Sequence, residues 1–144
     1  MYGHTHKEDI QVVQSVIDGK NIGINFYAGS LTSYYHKNPS FNVIEFDAQY
    51  MIPVNIKTYY FDLVKANSEG TPTWLQLHDY VSYYSMPDLR PDNIFQYALK
   101  VKTDEPTATL YKWNRTRQVR TRPSACNEQC RTELYCLITT SETL

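Results

Sequence analysis

Near the N-terminus the chain reads Gly3-His4-Thr5-His6, the one stretch whose residue types and spacing point sharply to chemistry. On an extended segment, two imidazoles at i and i+2 point to the same side. Their Cα atoms then lie about 6.6 Å apart at ~3.3 Å per residue. That separation suits two divalent ions ~3.5–4 Å apart with one imidazole on each, the layout of two-metal hydrolytic sites. Gly3 lets the backbone approach such a site with no Cβ in the way. Imidazole suits zinc, iron and similar ions. A bare His-x-His is equally well explained as two exposed histidines, but here it runs straight into a hairpin-forming sequence, which favours metal. Zinc takes four ligands, so His4 and His6 alone leave a metal under-coordinated. His36 and His78 have no ligand spacing to anything and read as structural histidines.

The second chemical cluster is Cys126, Cys130 and Cys136, at spacings of four and six. A zinc site would need a fourth cysteine or a nearby histidine, and Cys-x-x-Cys spacing is absent. Disulfide chemistry in an oxidising compartment is the better reading; in cytosol all three would be thiols. Asn114-Arg115-Thr116 forms a glycosylation sequon, which suits the same compartment. The first ten residues, MYGHTHKEDI, are polar and lack the apolar core of a signal peptide.

The elements that must position these residues follow from the hydrophobic pattern. Ile10 to Ile17 is rich in β-branched residues, Asp18-Gly19-Lys20-Asn21 has turn chemistry, and Ile22 to Ala28 reads as the returning strand. A loop spans 29–39. Phe41 to Phe46 and Ile56 to Leu63 are further strands. Ser68-Glu69-Gly70-Thr71-Pro72 breaks the pattern. Trp74, Leu77, Val81 and Tyr84 then fall at helical spacing. Pro91 suits the first turn of a helix carrying Ile94, Phe95, Ala98, Leu99 and Val101. Two more helices are expected over 105–117 and 130–137. Strands followed by helices make an α+β chain. Four strands alone would form a marginal sheet, so this β half is expected to belong to a larger one and to be poorly stable by itself.

Composition excludes some classes. Hydrophobic residues are 42%, charged residues 20% and the formal net charge is -1, which disfavours disorder and nucleic-acid binding. No apolar run approaches the ~20 residues of a membrane span. Thirteen tyrosines read as a Tyr-rich core edge. Lys112, Arg115, Arg117, Arg120 and Arg122 cluster before Pro123; they read first as a solvated helix face, and otherwise as a contact for an anionic lipid surface.

Several blocks together resemble a known family. Gly3-His4-Thr5-His6, followed by a hairpin and Ala28-Gly29-Ser30-Leu31-Thr32, looks like the last metal-binding block of calcineurin-like metallophosphoesterases. Asn38-Pro39-Ser40-Phe41-Asn42-Val43, Asp47, Tyr59-Tyr60-Phe61-Asp62-Leu63, Ala66-Asn67, Trp74 and the closing cysteines resemble the acid sphingomyelinase branch. The resemblance runs from about Gly3 to about Thr140. It implies the C-terminal β-strands of a metallophosphoesterase sandwich (1–66) followed by a small helical C-terminal domain (67–144). It implies two zinc ions, with His4 on one and His6 on the other, and hydrolysis of sphingomyelin to ceramide and phosphocholine. Sphingomyelinase-like members act instead on nucleotides and related phosphodiesters, and a non-catalytic remnant is the remaining alternative. The family's Asp-x-His, Gly-Asp and Gly-Asn-His blocks are absent, so the chain is expected to be the end of a longer enzyme and inactive alone. By the same resemblance Cys126 pairs with Cys130, Cys136 is left without its partner, and the protein is secreted or lysosomal.

Overall fold

The computed structural model describes residues 5–34, 37–119 and 121–139. Two antiparallel hairpins come first. β1 (Asp9–Gln14) pairs with β2 (Asn21–Tyr27), placing Ile10 opposite Phe26 and Val12 opposite Ile24. Gly19 closes the connection at φ 69, a left-handed position that glycine occupies without a Cβ penalty. β3 (Ser40–Phe46) pairs with β4 (Pro53–Tyr60). Asp47 builds that turn, accepting from the backbone of Gln49 and Tyr50 through its carboxylate and from Met51 through its carbonyl.

The helices are punctuated as their sequences require. Asp62 caps α1 (Leu63–Glu69), accepting from Val64 N and Lys65 N, and Gly70 ends it at φ 72. Pro91 opens α3 (Pro91–Thr103), after the single turn of α2 (Tyr80–Tyr83). Asp104 caps α4 (Glu105–Asn114) by accepting from Thr107 N. The last helix is α5 (Glu128–Thr139). Ile94, Ala98 and Val101 of α3 and Ile138 of α5 are fully buried with Ile10 and Val12 of β1, so the helices are seated on the first hairpin.

Two elements depart from the sequence pattern, the first being α1, which occupies the end of the strand expected over Ile56 to Leu63 and the start of the expected break. The stretch expected to be a helix over Trp74–Tyr84 is instead β5 (Leu75–Asp79) followed by α2. β5 adds to the exposed edge of β4, with Tyr60 opposite Leu75 and Thr58 opposite His78. The resulting sheet has the order β3-β4-β5, and it satisfies an edge that a helix would leave open. The other boundaries shift by short lengths: β4 ends at Tyr60, because Asp62 already caps α1, and α4 ends at Asn114.

Glycine 29 shows how closely the loop after β2 is packed. A Cβ there would stand 2.1 Å from Ser40 Oγ and 3.5 Å from Arg117 Cδ and Nε. Ser40 Oγ is buried and has no hydrogen-bond partner among the described residues. Gly29→Ala is therefore expected to destabilise the fold by about 1–3 kcal/mol. Ser40→Ala alone should be near neutral, and the double variant should recover most of the loss in urea unfolding. A double variant as unstable as Gly29→Ala would show that the hydroxyl is not what the methyl strikes.

Candidate functional site

Of the two expected metal ligands, His4 and its neighbour Gly3 lie outside the described residues, as do His36 and Arg120. His6 is described, and its backbone is not extended. It sits at φ 55, three residues before β1 begins, so the two-residue alternation does not carry through it. Its ring meets Tyr34 edge to face, with centroids 6.4 Å apart. His6 Nδ1 is buried without a hydrogen-bond partner among the described residues. An imidazole nitrogen left unsatisfied in this way fits a metal ligand. Among the described residues no group of three or more His, Cys, Asp and Glu side chains gathers as a metal site. This part of the chain thus offers one imidazole to a metal and no complete coordination shell.

The chain after His6 is held by residues distant in sequence. Glu8 is 2% exposed and its carboxylate accepts from every side. Thr58 Oγ1 lies 2.9 Å from both oxygens, Asn42 Nδ2 donates at 2.9 Å and the Tyr80 hydroxyl at 3.1 Å. His78 Nε2 stands 3.2 Å from Glu8 Oε1, without the alignment of a directed hydrogen bond. Burial pushes the Glu8 carboxyl up, but His78, Asn42 and Thr58 outweigh it and hold the group below the ordinary glutamate value. Because Thr58 is on β4, Asn42 on β3 and His78 on β5, this carboxylate ties the three-stranded sheet to the start of β1. His78 itself is a structural residue, packed against the rings of Tyr80, Tyr83 and Tyr84.

The end of α4 supplies the other side of the brace. Arg115 grips Asp9 with two bonds, Nη2 to Oδ2 at 2.8 Å and a shorter one from Nε to Oδ1. Arg115 O accepts from Glu8 N at 3.2 Å, and Ile10 N donates to the Tyr111 hydroxyl at 3.4 Å. Arg117 is fully buried and donates from Nη1 to His6 O at 2.9 Å. Lys37 Nζ donates to Thr5 O at 2.8 Å.

These contacts correct two expectations from the sequence. Arg115 and Arg117 cannot form part of a solvated or lipid-facing basic surface, because one is ion-paired to Asp9 and the other lies in the interior. Lys112 and Arg122 are exposed. Asn114, the sequon residue, is 1% exposed, and its Nδ2 donates to the Tyr84 hydroxyl at 2.9 Å. The nitrogen that would carry a glycan faces the core, so this fold does not present Asn114 for glycosylation. At the other end of the module, Cys126 and Cys130 are joined across a Cα separation of 5.4 Å, while Cys136 is free and exposed on α5.

Glu8, Asp9, Arg115 and Arg117 had no motif to announce them. The available signal was the acidic pair one residue beyond the second histidine, together with arginines two residues apart after the helix that carries Tyr111. No helix among the described residues is long and apolar enough to cross a membrane.

Residues 22–143 match the family described as the acid sphingomyelin phosphodiesterase C-terminal region. Sphingomyelin phosphodiesterase B of Dictyostelium discoideum is 32% identical over 97 residues, which are 62% of this chain and 15% of that protein. Sphingomyelin phosphodiesterase A of the same organism is 27% identical over 141 residues, 96% of this chain and 24% of that protein. Cyclic GMP-AMP phosphodiesterase SMPDL3A of Mus musculus is 22% identical over 143 residues, 95% of this chain and 32% of that protein. The chain thus spans at most about a third of the length of these relatives. With a family match across residues 22–143, the chain belongs to the acid sphingomyelin phosphodiesterase C-terminal family.

Proposed function

We propose that this chain forms the C-terminal end of a zinc-dependent phosphodiester hydrolase whose substrate is sphingomyelin, cleaved to ceramide and phosphocholine. The observation that carries the reading is the bracing of the segment around His6, whose buried Nδ1 has no partner among the described residues, by carboxylate, arginine and tyrosine contacts from both sheets and α4. In this reading His4 and His6 each contribute one imidazole, and the other ligands come from a catalytic part of the kind that makes up the rest of its relatives. Zinc held there supplies Lewis acidity toward phosphate oxygens and an acidified water. The chain's own residues orient His6, keep water from its backbone and lock the sheet beneath it.

Residues 1–66 then end the catalytic domain, with its sheets completing a metallophosphoesterase sandwich. Residues 67–144 form the helical part, which returns β5 to the edge of β4. The Cys126–Cys130 bond suits secretion or a lysosomal setting. A nucleotide phosphodiester is the second substrate reading, favoured by the similarity to cyclic GMP-AMP phosphodiesterases over 95% of the chain.

The test is a chimera in which this chain replaces the corresponding region of the Dictyostelium sphingomyelin phosphodiesterase A. The folded chimera should hydrolyse sphingomyelin faster than cyclic GMP-AMP when loaded with zinc, and the 144-residue chain alone should hydrolyse neither. His4→Ala or His6→Ala should lower turnover by more than the ~100-fold that loss of an outer-shell partner costs. Full turnover with both histidines replaced would sink the metal assignment, and a preference for cyclic GMP-AMP would select the second substrate.

A further inference from the structure

Arg117 and Arg115 sit two residues apart, yet they bury their charges in different ways. Arg115 has a carboxylate partner in Asp9. Arg117 is 0% exposed and makes no ion pair among the described residues; its hydrogen bonds go to backbone carbonyls. Nη1 donates to His6 O and to Arg115 O, each at 2.9 Å, and Nε donates to Asn38 O at 3.1 Å. Nη2 is buried with no hydrogen-bond partner among the described residues. An interior guanidinium without a carboxylate is a poor stabiliser, since an apolar side chain of similar volume fills the space at less cost in desolvation. Carbonyl contacts do something an apolar side chain cannot: they fix the orientation of peptide planes.

The plane fixed at His6 is a strained one. His6 adopts φ 55, a left-handed conformation that L-residues other than glycine avoid and that persists only where the surroundings over-determine it. Here the surroundings are Arg117 on His6 O and Lys37 on Thr5 O, the carbonyls on either side of the His6 Cα. Arg117 is itself immobilised. Its own φ is 54, its N donates to Asn114 O at 2.7 Å, and Asn38 Nδ2 donates back to its carbonyl at 3.1 Å. Gly29 leaves no Cβ beside the Arg117 Cδ and Nε.

We propose that Arg117 is a positioning residue: by clamping the His6 carbonyl it holds the left-handed backbone at His6 and thereby aims the imidazole at a divalent metal. This rests on reading His6 as a metal ligand. The role needs a planar fork, so lysine, with one compact ammonium, should not replace it.

The test uses the folded chimera described above, which supplies the remaining ligands, segmentally labelled with ¹³C and ¹⁵N over the residues of this chain, titrated with zinc and read by NMR. In the wild type, His6 should show a left-handed Cα shift and a zinc-dependent imidazole shift. In Arg117→Lys the amide spectrum of α3 and α5 should be unchanged, the His6 Cα shift should move toward the extended range, and the zinc midpoint at His6 should rise ~10-fold, the low end of what outer-shell partners cost a metal site. If Arg117→Lys does not fold, Asn38→Ala, which loosens Arg117 by removing the donor to its carbonyl, is read in its place, with the same direction of change. A wild-type His6 that ignores zinc overturns the metal reading and this inference together. A wild-type response that the folded variant reproduces, with the His6 Cα shift unmoved, overturns the positioning role and leaves the metal reading standing.

Discussion

Replacing Arg115 with methionine lowers the free energy of unfolding by about 3–5 kcal/mol, a large share of the ~5–15 kcal/mol that holds a domain folded. Asp9 is 5% exposed and the Arg115 side chain 15%, so water does not screen the pair. Burial already pushes the Asp9 carboxyl above its ordinary value; without the guanidinium that cost is no longer offset by Arg115, the Glu8 carboxylate adds to it, and only the weak Tyr111 hydroxyl contact at 3.4 Å remains. The backbone bond from Glu8 N to Arg115 O survives the substitution, so the loss measures the charge pair and not the chain path. Converting both partners, Asp9→Leu with Arg115→Met, should cost less than Arg115→Met alone, because neither charge is then stranded. Urea unfolding of the three variants decides it. A single variant within about 1 kcal/mol of wild type, or a double variant less stable than the single, would show that the pair is not what fixes Asp9.

Much of the framework was legible in the sequence because local chemistry and tertiary structure agree there. Gly19 after Asp18 marks the first hairpin, Pro91 stands at the first helical position of α3, and Ile94, Ala98 and Val101 are the buried face of that helix. Resemblance supplied the family and the cysteine grouping. What stayed hidden depends on partners far away in the chain. Trp74, Leu77, Val81 and Tyr84 have helical spacing, but the open edge of β4 captures Leu75–Asp79 as a strand, and only Tyr80–Tyr83 keeps a helical turn. A sequon predicts an exposed asparagine, whereas the inner face of α4 carries Asn114 to Tyr84. A run of arginines reads as a solvated face; the acid that draws Arg115 inward, Asp9, lies more than 100 residues earlier. In the candidate site, the histidine motif could be read directly, but the left-handed turn at His6 could not, since it is imposed by Arg117 and Lys37.

Glu8 is where that hidden half of the site meets the fold, and Glu8→Gln isolates its charge with little change in shape. Around the carboxylate, Thr58, Asn42 and Tyr80 all donate. A glutamine amide turns one acceptor into a donor, so at least one neighbour faces an N–H where it had an oxygen, and His78 loses the charge it stands against. The expected loss is about 3–5 kcal/mol, with Glu8→Leu at the upper end because it strands every one of those donors. The dependence on pH has a definite sign. The folded protein holds the Glu8 pKa below its ordinary value of 4.5, so the ionised group contributes its full stability above that value. The contribution declines only as pH falls below the ordinary value and through the lowered one. The gap in stability between wild type and Glu8→Gln should therefore be flat from neutral pH down to about 5 and close in more acidic solution, in urea unfolding at stepped pH. A gap that widens on acidification would mean that the folded state prefers Glu8 protonated, and the network around it would then be built on a neutral acid instead of a carboxylate. His6 lies two residues earlier, so a neutral Glu8 would also leave it seated on a looser floor. Reading the His6 imidazole resonance in Glu8→Gln ties the stability result to the candidate site: an unmoved resonance would confine Glu8 to the fold, and a shifted one would make the sheet anchor and His6 a single mechanical unit.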